Sequence, residues 1–314
     1  MARASTVVGV LLFLIAVAFL AVKYLRAPRQ RRFRTSGWAG LGIILLAEAL
    51  LFGGVEWVAT FFTPIAWTGY LLLVDAAVWS LRGESRLVNS PRHFLALAFW
   101  SVPLWLIFEA YNLRMQNWTY VGLPEDLLIR CVGYGWSFAT IWPAILETRD
   151  LIEALGVFPA EEMPRAPLGS RRLLGVFFAG LLCVTIPVLV PAPAGQYLFG
   201  LVWVGFALLL DPLNYVAGGR SLLREFETGR RSTFLSLLLA GLACGIFWEF
   251  WNYWAGAKWV YVFPILQGWK IFEMPMPGYL GFPPFAVECF VMYEFLKTMG
   301  KQVVTRQGAT ALTS

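Results

Sequence analysis

Nine long apolar runs constrain the fold of this chain more than any other feature of its sequence. Each run is close to the ~20 residues that an α-helix needs to cross ~30 Å of hydrocarbon, at ~1.5 Å per residue. The runs cover residues 5–23, 39–61, 64–81, 93–112, 131–149, 172–191, 196–217, 233–254 and 280–298. Only 14% of the chain is charged, whereas a typical soluble domain carries about 25%. The sequence therefore predicts an all-α integral membrane protein with about nine transmembrane helices, and it excludes single-domain soluble folds.

The apolar stretch from Gly37 to Leu81 is too long for a single span. Proline disfavours helical backbone at the residue before it. We therefore place the boundary between the second and third predicted helices at Thr63-Pro64.

The first apolar run and the basic segment behind it predict a retained membrane anchor. Arg3 precedes the run, and no small-x-small cleavage motif stands before Lys23, so a cleaved signal peptide is not expected. Six Lys and Arg residues follow between positions 23 and 34, which is typical of a stop-transfer flank. The same segment should attract anionic lipid headgroups, at roughly 1 kcal/mol per basic residue.

Lysine and arginine are distributed unevenly among the predicted loops. Five of the 25 lie in one set of segments, namely Arg3, Arg114, Arg130, Lys258 and Lys270. The other 20 lie in segments 23–34, 82–92, 149–172 and 220–231 and in the tail from 297. Because positive residues favour the cytoplasmic side, we expect a multi-pass protein of the cell inner (plasma) membrane, with its N-terminus outside and its C-terminus cytoplasmic. The net charge of +6 then reflects topology, so the bilayer is the expected partner and nucleic acid is not.

The second half of the chain repeats motifs of the first half in the same order. The matches join Trp67-x-Gly69-x-x-Leu72-Leu73-x-Asp75 to Trp203-x-Gly205-x-x-Leu208-Leu209-x-Asp211, Glu109-x-x-Asn112 to Glu249-x-x-Asn252, Trp118-x-Tyr120 to Trp259-x-Tyr261, and Pro143-x-x-x-Glu147 to Pro284-x-x-x-Glu288. Matches in one order across four helices indicate an internal duplication.

Each repeat unit contains four predicted spans, an even number, so both units insert the same way up as parallel repeats. The predicted organisation is an N-terminal anchor with its basic inner loop (1–35), repeat one (36–155), an inner loop (156–171), and repeat two with the tail (172–314). In parallel repeats of this kind, the binding site is expected between the two halves.

Acidic residues inside the apolar runs are the candidate catalytic groups. A charged side chain at a helix centre costs about 2.5–3.5 kcal/mol on insertion scales, so each acid must be neutral, paired or facing water. Glu109 with Asn112, and Glu249 with Asn252, are three residues apart and share a helix face. If the two faces meet, they form one pocket open to the outer leaflet, where a neutral glutamic acid could be a general acid. We expect the asparagines to hold the acids, and Glu288 to be a second acid or base.

Aromatic residues beside these acids are the candidate substrate contacts. They are Trp118, Tyr120, Trp248, Trp251, Trp259 and Tyr261. Their ring faces could stabilise a cationic intermediate, although Trp and Tyr at this depth also form interfacial belts. Asp75, Asp211 and Glu147 are expected to be structural, with the two aspartates ordering the inner loops through Ser85 and Ser221. The Glu-x-x-Asn pairs are equally well explained by bonds between helices.

No cofactor and no metal site are expected from the residue types present. His93 is the only histidine, the four cysteines form no Cys-x-x-Cys, and no Asp-x-x-x-Asp motif is present. The cysteines are expected to pack as small apolar residues.

The stretch from Trp248 to Glu294 carries a family likeness. Its parts are Trp248-Glu249, Trp259-x-Tyr261, Met274-Pro275, Cys289 and Tyr293-Glu294. Together they resemble the membrane-embedded lycopene cyclase domain, a carotenoid-cyclising family of paired or fused halves. At the position of that family's Glu-Glu pair this chain has Pro277-Gly278. The resemblance implies a shared fold and a long, apolar isoprenoid ligand.

Three functions are consistent with the sequence. The first is an enzyme that acts on an isoprenoid or another lipid. The second is a proton-coupled transporter or lipid-translocating protein, in which Glu288 and Asp211 are the coupling residues. The third is a non-catalytic membrane scaffold.

Overall fold

The computed structural model describes residues 2–158, 164–165 and 167–311. Within them the chain is mainly helical, with four short strands. The elements are α1 (Ala2–Arg26), α2 (Thr35–Phe52), α3 (Glu56–Arg82), α4 (Arg86–Asn89), α5 (Pro91–Met115), β1 (Trp118–Val121), α6 (Leu127–Ala154), α7 (Ser170–Leu189), α8 (Ala192–Gly195), a 3₁₀ turn (Gln196–Leu198), α9 (Phe199–Val216), α10 (Leu222–Glu227), α11 (Ser232–Trp254), β2 (Lys258–Tyr261), β3 (Lys270–Ile271), β4 (Met274–Pro275), a second 3₁₀ turn (Met276–Gly281) and α12 (Phe282–Ala311).

Seven helical segments of the described chain are long and apolar enough to cross a membrane. They are Ala4–Arg26, Thr35–Phe52, Glu56–Arg82, Pro91–Met115, Ser170–Leu189, Ala192–Val216 and Ser232–Trp254. The protein is therefore a helical, membrane-embedded protein, as the sequence predicts. The fifth predicted span falls within α6, and the ninth overlaps α12, which begins at Phe282. Both helices contain several charged residues and are not among these seven.

The predicted boundary at Thr63-Pro64 is wrong, since Pro64 lies inside α3. The second helix ends earlier, at Phe52, where Gly53 and Gly54 form a turn and Gly54 takes a φ of +79° that favours glycine. Helix α3 accommodates Pro64 through a kink at Phe61 (φ −102°, ψ 16°).

Helices α3, α6, α11 and α12 supply most of the buried core, including long buried stretches of α6 and α12. Two outer helices cross them closely at glycines. Gly40 of α2 lies against the backbone of Gly69 in α3, and Gly180 of α7 lies against the backbone of Leu208 and Leu209 in α9. A side chain at either glycine would collide with the facing backbone, so these small residues permit the close packing. Helix α1 is peripheral and packs on α11.

Two aspartates organise the loops that follow α3 and α9. Asp75 accepts hydrogen bonds from the Ser85 hydroxyl (3.0 Å) and from the backbone N–H of Leu87 (2.9 Å). Asp211 does the same with the Ser221 hydroxyl (3.0 Å) and the backbone N–H of Leu223 (2.8 Å). These are the loop contacts that we expected from the spacing of the residues.

Strands β1 and β2 pair antiparallel and join the two halves of the chain. Trp118 lies opposite Tyr261, and Tyr120 lies opposite Trp259. Both copies of the Trp-x-Tyr motif therefore meet in one two-stranded ribbon, which forms part of the wall of the site described next.

Candidate functional site

A cavity of about 460 Å³ lies beside the β1/β2 ribbon, between helices of both halves. Its wall is largely aromatic. Five of the six predicted substrate contacts line it, namely Trp118, Tyr120, Trp248, Trp259 and Tyr261. Trp251 does not, because its indole N–H points instead to the Glu48 carboxylate (3.3 Å).

Glu109 lies behind this wall, on α5, and is held by three side chains that line the cavity. Its Oε1 accepts hydrogen bonds from the Tyr120 hydroxyl, the Trp105 indole (2.8 Å) and the Trp118 indole (3.3 Å). The side chain is partly exposed. Three donors and partial access to solvent suit an ionised carboxylate.

Glu249 occupies the matching place behind the other half of the wall, on α11, in a different environment. Its Oε1 accepts one hydrogen bond, from the Tyr261 hydroxyl (3.1 Å), whose oxygen accepts from the Trp259 indole (2.9 Å). Glu249 is fully buried, and its Oε2 has no partner among the described residues. Burying an ion with an unpaired oxygen is costly, so this environment suits a neutral carboxylic acid.

The two tyrosines of the ribbon keep their hydroxyl protons. Burial, and then the neighbouring Glu249 carboxyl, raise the pKa of Tyr261 well above its ordinary value. Burial, and then Glu109, do the same to the pKa of Tyr120. Each tyrosine is thus a neutral hydroxyl placed between a carboxyl group and the cavity.

The predicted role of the two asparagines is wrong, because neither carboxamide holds an acid. Asn252 donates to the backbone carbonyl of Trp259 (2.9 Å) and accepts from the N–H of the same residue (3.0 Å). Asn112 makes the same pair of bonds with the backbone of Trp118 (2.9 and 3.1 Å). A carboxamide offers one donor and one acceptor side by side, which matches the backbone of a strand beginning beside a helix. The asparagines therefore position the ribbon.

Glu288 lies away from the cavity, although we expected it to act with the other acids. It is fully buried on α12, where Oε1 accepts from the backbone N–H of Phe206 (2.8 Å) and Oε2 has no partner in the described chain. Its counterpart Glu147 is also fully buried, 3.8 Å from Arg86, which pairs with Asp150 at 2.6 Å. Glu147 thus belongs to a charged cluster at the other end of the molecule from the ribbon.

Several residues of the site were not predicted from sequence. Trp105 is the clearest omission, because it lies four residues before Glu109, on the same helix face, and that spacing could have revealed it. Trp67 and Trp203 also line the cavity, but the sequence marked them only as matched repeat positions.

Three wall residues carry buried polar atoms without partners in the described chain. They are Thr63 (Oγ1), Trp67 (Nε1) and Asn117 (Oδ1). An unpaired buried polar atom costs about 1–3 kcal/mol. All three atoms are closed off from the cavity, so a ligand would pair with them only after the wall rearranged.

Comparison with protein-family models, curated proteins and solved structures gave no match to this chain. Within the described residues, no three His, Cys, Asp or Glu side chains are grouped so as to hold a metal ion. All four cysteines are free, with Cys244 and Cys289 buried in the core. The geometry of the aromatic cavity is therefore the main guide to function.

Proposed function

We propose that this protein is a membrane enzyme that converts an isoprenoid or another unsaturated lipid by acid–base chemistry in the aromatic cavity. One observation carries the proposal. The two tyrosine hydroxyls of the ribbon, Tyr120 and Tyr261, are each hydrogen-bonded to a glutamate held behind the cavity wall. A titratable group and a hydroxyl in series form a path for a proton into or out of an apolar site.

The two glutamates have different environments, which supports different roles for them. Glu249, buried with one donor, acts as the acid. Once its O–H turns from Glu249 to the substrate, Tyr261 gives its proton to one carbon of a double bond, and its oxygen recovers a proton from the neutral Glu249 carboxylic acid. Tyr120 takes a proton from a neighbouring carbon and passes its own to Glu109. The double bond moves or a ring closes, no other reactant is consumed, and exchange with water restores both carboxyl groups.

The aromatic wall suits the cation that such a step creates. Ring faces attract positive charge by up to about 2 kcal/mol in a dry site. Trp67 lies 4.9 Å from Trp248 between ring centroids, and Trp203 lies 5.0 Å from Phe285, so rings from both halves surround the cavity. Its volume of about 460 Å³ is within the ~300–1,000 Å³ of small-molecule sites.

The resemblance to the lycopene cyclase domain supports a long apolar ligand. Pro277 and Gly278, which stand where that family has its Glu-Glu pair, line the same cavity. In this chain the proton therefore has to come from another acid, and we assign its supply to Glu249 behind the wall.

Matched contacts in the two halves support the finer architecture, an N-terminal anchor followed by two parallel four-helix repeats with nine spans in all. The asparagine–strand bonds, the aspartate–serine bonds and the glycine crossings each occur twice at equivalent positions. The ribbon end carries four of the five residues of the sparse basic set, Arg114, Arg130, Lys258 and Lys270, which supports a cavity near the outer face of the inner membrane.

Filling the cavity should expel its ligand. We expect Ser137→Phe, in the cavity wall, to weaken retention of a co-purifying apolar molecule by about 5–150-fold, since overpacking costs about 1–3 kcal/mol. Native mass spectrometry of the detergent-solubilised protein measures this. Gly135→Phe is the matched control, because Gly135 is on the same helix, outside the wall, with open space around it. Equal retention in both variants would contradict the proposed site.

Proton-coupled transport is a second candidate, favoured by the buried Glu288 with its unpaired Oε2. A carboxyl group of this kind inside a membrane bundle can carry a proton as the protein changes conformation. This function predicts proton-driven uptake into liposomes that Glu288→Gln abolishes and Glu249→Gln leaves intact. Uptake that is independent of a proton gradient, or unchanged in Glu288→Gln, would exclude it.

A further inference from the structure

A second cavity, of about 1,080 Å³, lies at the other end of the molecule, between α1 and the ends of α3 and α6. Along α1, from residue 15 to residue 26, the wall changes from apolar to cationic. Ile15, Ala18, Phe19 and Val22 recur at helical spacing on one face, and all four are exposed. Lys23 and Arg26 continue the wall toward the end of the helix. We name this cavity the α1 groove.

Basic side chains dominate the polar end of the α1 groove. Lys23 and Arg26 are exposed and make no ion pair within the described chain, and Arg29 lies over the ring of Tyr24 at 5.0 Å. Arg82, on the opposite wall, is 3.5 Å from Glu153. Glu153 is the acidic residue in the described lining. The polar end therefore has an excess of positive charge that the protein does not neutralise.

The apolar end of the α1 groove is lined by α1 itself, which is long and apolar enough to span the membrane. In a bilayer, hydrocarbon chains fill a gap of this kind, because an empty space would forfeit van der Waals contacts. A chain lying along Ile15–Val22 would bring the group at its end to the cations at Lys23 and Arg26. Basic pockets between membrane helices bind anionic lipid headgroups in this way.

We propose that the α1 groove binds an anionic phospholipid. One acyl chain lies along the apolar face of α1, and the phosphate is held by Lys23, Arg26, Arg29 and Arg82. This site is separate from the aromatic cavity and does not depend on its chemistry. The combination of an apolar face and a cationic end selects a lipid over a free phosphate ester, which would contact the cations alone.

The test is native mass spectrometry of the full-length protein in detergent, titrated with phosphatidylglycerol or with phosphatidylcholine of the same acyl chains. We expect preferential retention of phosphatidylglycerol. The double variant Lys23→Gln/Arg26→Gln should lower its affinity by about tenfold or more, and lower that of phosphatidylcholine, whose choline cation offsets the phosphate charge, by a smaller factor. The matched control is Arg171→Gln/Arg172→Gln, which removes the same charge from exposed positions at the start of α7 and should have no effect.

Two further measurements distinguish a bound lipid from other ligands of the groove. Ala18→Phe should lower the affinity for both lipids, because the larger side chain fills the apolar end of the groove. Glycerol 3-phosphate in excess should not displace phosphatidylglycerol. Equal retention of the two lipids, equal loss in the control variant, or displacement by glycerol 3-phosphate would overturn the proposal. A shift from dimer to monomer in the groove variants, without loss of lipid, would also overturn it and assign the groove to a second copy of the chain.

Discussion

We expect Glu249→Gln to lower turnover of the cavity's ligand by about 10²–10⁴-fold, the usual contribution of a positioned general acid. Glutamine keeps the shape of the side chain and can still accept from Tyr261, but it cannot replace the proton that Tyr261 gives away. Tyr261→Phe should have an effect of similar size, because it removes the hydroxyl between Glu249 and the cavity. The measurement is product formation in reconstituted vesicles, with the molecule identified by native mass spectrometry as substrate.

Incorporation of solvent deuterium into the product distinguishes proton donation by Glu249 from a purely structural role of this residue. In D₂O, the wild-type product should carry deuterium at the protonated carbon, and Glu249→Gln should lose this label together with turnover. Glu48→Gln is the matched control, because Glu48 accepts from the Trp251 indole (3.3 Å), and Trp251, unlike Tyr261, does not line the cavity. Full turnover in Glu249→Gln, or equal loss in Glu48→Gln, would exclude the assigned acid.

Spacing along the chain predicted those parts of the site that depend on local geometry. The three-residue step from Glu249 to Asn252 placed both side chains at the same end of α11, and both do contact the β2 segment that follows. The loop contact between Asp75 and Ser85 could likewise be predicted from the sequence, because a short connection leaves few partners for a buried acid. Such inferences need only helix periodicity and the cost of burying charge.

Spacing did not reveal which group across the fold each side chain would meet. The sequence suggested that Asn252 would bind Glu249, but the backbone of Trp259 offers a donor and an acceptor that match a carboxamide better. The boundary of α2 was misplaced for a related reason. Proline disfavours helix at the residue before it, but α2 already ends at Gly53-Gly54, and a kink at Phe61 lets α3 continue through Pro64. Both outcomes depend on how neighbouring elements relax, which a linear pattern does not contain.

Asn252→Ala should be among the most destabilising substitutions in the helical bundle. Asn252 is fully buried and provides partners for both the N–H and the C=O of Trp259. Each backbone group left unpaired costs about 1–3 kcal/mol, so we expect the two to lower the free energy of unfolding by about 2–6 kcal/mol. Thermal unfolding in detergent micelles, followed by tryptophan fluorescence, measures the change.

Asn112→Ala is the internal control for this prediction, because it removes the same two bonds from Trp118, and one more from the N–H of Asn117 (2.8 Å), at a partly exposed position. Water can replace a lost partner there, so the expected cost is smaller, about 1 kcal/mol. Turnover in Asn252→Ala should fall with stability, since the ribbon that carries Tyr261 is no longer fixed to α11. If Asn252→Ala kept wild-type stability but lost turnover, the asparagine would hold the Glu249 carboxyl during the reaction and would not be needed to fix the ribbon. The catalytic role that its spacing first suggested would then replace the positioning role that its hydrogen bonds indicate.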